Sequence, residues 1–202
     1  MIHMRRVLDI KQNDQIDNKQ LGRIKASWQC GYTAAAMLLS SLFEEANTDE
    51  FIAELVILMD DEYIKNKSNT RNGAFLARYP DHINSILKKR GINKKAVFMP
   101  HSGGNNHIIQ AINNGSPVMC STMITNEGHY VLIIGYDEER KVWIVNDPYG
   151  HYSFAESKYK IIGKNSGAGV EYPYTLLGNA MISSSRVATS GSKSGYRMLW
   201  LE

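Results

Sequence analysis

Between residues 30 and 46 the apolar positions recur at helical spacing, with Ala34, Met37, Leu38, Leu42 and Phe43 on one face. Ala35, Ala36 and Leu39 widen that face until the helix is apolar on most sides, which is the pattern of an element buried in the middle of a domain. "NTDEFIAELVILMDDEYIK" predicts a second helix, with Thr48 as cap candidate, acidic residues in the first turn, and Phe51, Leu55 and Met59 at helical spacing. A third is predicted through "PDHINSILKKRG", starting at Pro80 or Asp81 and stopped by Gly91. The period then changes. "KAVFMP", "PVMCSTMI", "HYVLIIGYD" and "KVWIVND" read as strands, with a short helix, "NNHIIQAINNG", after the first. Residues 1 to 29 read as a short strand and a turn-rich loop. Beyond residue 150 the pattern weakens to Gly/Ser-rich loops at 163–169 and 185–195 and a terminal strand, "RMLWLE". Helices first and antiparallel strands later predict an α+β fold of one domain over 1–202: a helical part (about 1–92) packed on a sheet part (about 93–202).

Composition adds exclusions. With 202 residues, 43% hydrophobic and 21% charged, the chain has material for a real core and is not a disordered tail. A net charge of +3 without a Lys/Arg block leaves no nucleic-acid footprint. Two cysteines, Cys30 and Cys120, are too few for a disulfide framework, and no Cys-x-x-Cys pair points to zinc or dithiol chemistry. The N-terminus lacks the apolar core of a signal peptide, and no run of about 18 apolar residues suggests a membrane span. The expectation is a monomer, cytoplasmic where it is made, that inserts in no membrane and carries no metal or other cofactor.

The chemistry centres on Cys30, which begins the apolar helix. A helix N-terminus lowers a thiol pKa through its free N–H groups and the positive end of its dipole, though a lone buried cysteine is also ordinary packing. Gly31 removes a side chain beside the sulfur and would let a substrate backbone approach. A thiol nucleophile needs a base, and the base needs a group to orient it. Of six histidines, His129 alone opens a strongly β-forming run, behind Gly128; otherwise it is a solvent-facing strand-edge residue. If the next strand returns as a hairpin through Glu138–Arg140 with Asp137 opposite Lys141, His129 faces Tyr149 and Asp147 is its neighbour on the same face. A one-residue slip presents Asn146 instead. The amide of Cys30 could form one half of an oxyanion hole, and Gln15, Gln20 or Gln29 the other. Trp28 walls a cleft or packs beneath the loop, and Cys120 reads as core. His101 and His107 fit no common zinc spacing, and "DDEYIKNKSNT" reads as a solvated helix end.

The order of "QIDN" at 15–18, "QCGYTAAAMLL" at 29–39, "GHYVLIIGYD" at 128–137 and "VNDPYG" at 145–150 resembles papain-like cysteine peptidases, and most closely the bacteriocin-processing peptidases and their stand-alone relatives. The resemblance implies a papain-like fold with Cys30 as nucleophile, His129 as general base and then acid, Asp147 as orienter of the imidazole and Gln15 in the oxyanion hole. Gly31, Gly128 and Trp28 would border the substrate. Stand-alone relatives include phage-encoded lysis enzymes, which makes a peptide of bacterial peptidoglycan the expected substrate. The alternatives are an intracellular processing peptidase, an acyltransferase, or a binding module without catalysis.

Overall fold

Nine consecutive buried residues make up the strand His129–Asp137, labelled β4, and such a strand has to be covered on both faces. In the computed structural model, which describes residues 4–189 and 195–202, it is. Tyr130, Leu132 and Ile134 meet one core and Val131 and Ile133 the other. The first core is closed by helices α1 (Cys30–Leu39), α2 (Asp49–Ile64) and α3 (Tyr79–Lys89), the second by α4 (Asn105–Asn113) and α5 (Tyr174–Thr189). Helices therefore lie on both faces of the sheet, which refines the two-part arrangement expected from the sequence.

The sheet is antiparallel throughout. Its order is β2 (Ala96–Gly103), β9 (Tyr196–Leu201), β3 (Val118–Thr122), β4, β5 (Val142–Asn146) and β8 (Val170–Pro173). The N-terminal strand β1 (Arg5–Val7) pairs with the far end of β4. A separate hairpin, β6 (Gly150–Ser153) with β7 (Lys158–Ile162), follows β5; the sequence pattern gave no sign of it. The result is the mixed helical and antiparallel α+β architecture predicted.

Three local expectations are corrected. The helix that begins at Cys30 ends at Leu39 rather than Ala46, because the hydroxyls of Ser40 and Ser41 donate to the carbonyls of Met37 and Leu38 at 2.8 and 2.7 Å and compete with helix propagation. Phe43 is then extended, and only a short 3-10 turn, Glu44–Ala46, follows. The segment from 185, read as a loop, runs in α5 to Thr189: Ser184 and Ser185 are buried, and the Ser184 hydroxyl lies 2.6 Å from that of Ser121 on β3. Residues 190–194 of that expected loop lie outside the described residues. Finally, Asp60 is no solvated helix end. It is buried at a kink of α2, accepting from the amides of Asn72 (2.5 Å) and Gly73 (3.0 Å) and from the Tyr32 hydroxyl. Thr48 caps α2 as predicted, accepting from the Phe51 amide at 3.2 Å. No helix among the described residues is long and apolar enough to cross a membrane.

Candidate active site

Cys30 is the first residue of α1, and the residue before it holds the cap position without capping. The Gln29 amide group instead reaches back to the carbonyl of Lys19 at 2.9 Å, so no side chain neutralises the positive end of the helix beside the sulfur. Gly31 serves packing rather than access: it is buried, and a Cβ there would lie 2.3 Å from the Tyr79 hydroxyl and 3.1 Å from Tyr130. The small residue makes room for aromatic side chains behind the thiol, which corrects the reading that it opens the sulfur to a substrate.

The hairpin that carries the other two groups contains a compensated slip. Its loop takes four residues, 138–141, with Lys141 in the left-handed region, so Asp137 pairs with Val142 and not with Lys141. An irregularity in β4 at Ile134 then restores the expected register: Ile133 faces Val145 and Leu132 faces Asn146. Asp147 consequently meets His129, its Oδ1 lying 2.7 Å from Nε2. Asn146 points away, donating to the Ile10 carbonyl at 2.8 Å and accepting from the Gly169 amide at 3.0 Å. The alternative between Asp147 and Asn146 as imidazole partner is thereby resolved geometrically.

Asp147 is fully buried and has more donors than its sequence neighbourhood suggests. The Tyr149 amide reaches Oδ1 at 2.9 Å, while the Tyr172 and Tyr159 hydroxyls donate to Oδ2 at 2.8 and 3.1 Å. With three donors besides the imidazole the carboxylate has one orientation. Both tyrosine pKa values rise, through burial and then through the Asp147 charge, so these hydroxyls keep their protons. Tyr172 lies on β8 opposite Trp143, and Tyr159 on the unforeseen hairpin. Neither could be placed before the register of those strands was known. Tyr172→Phe leaves Oδ2 short of a charge-assisted bond in a dry site, and should cost about 1.5–3 kcal/mol of stability in denaturant titration.

Burial alone would neutralise His129, but the charge and hydrogen bond of Asp147, with Cys30 adding to them, push its pKa up to about 10. Burial raises the Cys30 pKa; the hydrogen bond and charge of His129, the Tyr130 backbone amide and the Arg71 charge together outweigh it, so the net direction is down. Because Nε2 is engaged by Asp147, Nδ1 is the imidazole atom left for the thiol. The arrangement favours a thiolate beside an imidazolium. Cys120 behaves oppositely: fully buried in the second core, with nothing to stabilise a thiolate, its pKa is driven far up by burial.

A cleft of about 630 Å³ opens over Cys30 and His129. Trp28 walls it and is 37% exposed, so its ring is no packing element beneath the loop. Gly128 also borders the cleft, and its need for glycine is conformational, at φ +81°. Gln15 is buried and donates to the Ser27 carbonyl at 2.8 Å, just ahead of Cys30. Gln20 is turned to the Gly22 carbonyl at 3.1 Å, and Gln29 to Lys19. The loop beside Trp28 was not anticipated: Asp60 holds its amides, while Tyr79 and Tyr130 bind the carbonyls of Gly73 and Ala74, each at 3.0 Å. Arg71 on this loop and Arg197 on β9 complete the lining together with the last turns of α5. The Nδ1 of His101 lies 3.4 Å from the Ser185 hydroxyl, away from this group.

Comparison with known proteins agrees with this geometry. Residues 7–174 match the model of the Peptidase_C39 like family. The fold is similar to a crystal structure from Bacillus anthracis provisionally named a C39-like peptidase, with a TM-score of 0.52, 13% identity and 98% of each chain covered. No curated protein matches the sequence. The chain belongs to the Peptidase_C39 like family and shares the papain-like cysteine peptidase fold.

Proposed function

We propose that this protein hydrolyses a peptide or amide bond through an acyl-enzyme on Cys30. The observation that carries the reading is the buried His129–Asp147 pair beside Cys30 in the lining of an open cleft. The Cys30 thiolate attacks the carbonyl carbon, and the imidazolium of His129 gives its proton to the departing amine, leaving a thioester. A water molecule then attacks that carbonyl while His129 accepts its proton; the acid product leaves and the thiolate–imidazolium pair is restored. Asp147 holds the ring and balances its charge.

The oxyanion that forms in each half-reaction is bound by the Cys30 amide and the Gln15 side chain. In support, the Gln15 amide lies against the segment leading into Cys30, donating to the Ser27 carbonyl, whereas the amides of Gln20 and Gln29 are turned to the Gly22 and Lys19 carbonyls. Peptidoglycan stem peptides are the substrate we infer from the resemblance to stand-alone lytic relatives, and a cleft open at the surface suits a polymer. The test is incubation with purified peptidoglycan and with a peptide library, reading new termini by mass spectrometry. New termini made by the wild type and absent with Cys30→Ala are expected. Cleavage that persists in Cys30→Ala removes the mechanism, and cleavage of library peptides without cleavage of peptidoglycan removes that substrate.

A further inference from the structure

Among the described residues, the cleft over Cys30 holds two guanidinium groups without a carboxylate partner. Arg197 projects from β9 on the same face as Leu199 and Leu201, towards the core that α1 completes. It makes no hydrogen bond or ion pair among the described residues, and its Nε is buried and unpaired. Arg71 spends one bond on the Trp28 carbonyl, at 2.8 Å, and its guanidinium carbon lies 5.3 Å from the Trp28 ring centroid, but its buried Nε is likewise without a hydrogen-bond partner. The buried carboxylate nearest this loop, Asp60, is already occupied by two amides and the Tyr32 hydroxyl. Residues 1–3 and 190–194 contain no Asp or Glu, so they cannot supply the missing anion. Among the described residues Glu127 is the one carboxylate in the lining, and it is solvent-exposed, beside Gly128.

Guanidinium groups with unfilled donors and no carboxylate partner in a partly dry cleft are costly unless something anionic completes them, and a guanidinium matches a carboxylate in shape as well as charge. We propose that Arg71 and Arg197 form an anion subsite that takes a carboxylate of the substrate beside the scissile bond, from an acidic side chain or a peptide C-terminus. This rests on Cys30 being the nucleophile of that cleft, and the experiment separates the two claims.

Cys30 is alkylated with iodoacetate and with iodoacetamide, and both rates are read by mass spectrometry relative to glutathione at the same pH. Rapid labelling by iodoacetamide reports the primed thiol; the ratio of the two rates reports the subsite, because a change in thiolate fraction cancels in it. The ratio is expected to exceed that of glutathione, and to fall about fivefold per charge removed in Arg71→Gln and Arg197→Gln. Arg197→Lys, which keeps the charge, should retain most of it and so separates lost charge from lost packing. Acetyl-glutamate amide, with only a side-chain carboxylate, and acetyl-alanine, with only a terminal one, are then compared as protectants against iodoacetamide. Protection by one names the source of the carboxylate; protection by neither rejects a substrate carboxylate. A ratio equal to that of glutathione and unmoved by both glutamine variants overturns the subsite while leaving the nucleophile standing. Slow iodoacetamide labelling overturns the nucleophile itself.

Discussion

Replacing Cys30 by serine is expected to leave the protein folded and to lower kcat/KM about 10³-fold or more. The substitution is nearly isosteric, and the helix start, the Gly31 contact with Tyr79 and the His129–Asp147 pair do not depend on sulfur. What changes is the nucleophile's acidity. The site lowers the pKa of a thiol from an ordinary value of 9.0, so an anion stands ready; the same field cannot ionise a hydroxyl far above that range. Cys120→Ser provides the control. It places a hydroxyl in a fully buried apolar position and should reduce stability while leaving turnover per folded molecule intact. Turnover of the cleaved peptide and the thermal midpoint of each variant separate these outcomes. Cys30→Ser with wild-type activity would remove Cys30 from the mechanism.

The second large effect is expected from Asp147→Asn. Three donors besides the imidazole converge on this carboxylate, and an amide can accept on only one side. If its oxygen faces His129, its NH₂ faces the Tyr159 and Tyr172 hydroxyls, which must reverse; the opposite flip sets NH₂ against the imidazole and enforces the wrong tautomer. Activity should fall about 10²- to 10⁴-fold. The pH dependence gives a sharper signature. Asp147 raises the His129 pKa to about 10, so its neutralisation lowers that pKa. Loss of the imidazolium then begins at lower pH, and the basic limb of the kcat/KM profile moves down towards the ordinary histidine range. An unmoved basic limb would show that Asp147 does not act through the imidazole.

Periodicity sufficed for the elements that carry the reacting groups. The Cys30 helix and the β4–β5 hairpin announce themselves by apolar spacing, because each is buried over most of its length. The face on which Asp147 emerges was harder. It depends on two displacements, a longer loop ending in Lys141 and an irregularity at Ile134, which cancel before the end of the strand. Local sequence carries neither. Tyr159, Tyr172, Arg71 and Arg197 reach the site from four distant segments through register and packing, so no spacing rule could gather them. The serines of α5 misled for a related reason: their composition is that of a loop, and only the sheet beneath them makes a helix of them.

The account rests on a thiolate–imidazolium pair, and the rate of Cys30 alkylation by iodoacetamide as a function of pH measures it most directly. The expected profile rises with a midpoint below 9.0 and holds until His129 loses its proton near pH 10, with His129→Ala moving the midpoint upward. A midpoint at or above 9.0 that His129→Ala leaves in place would contradict it.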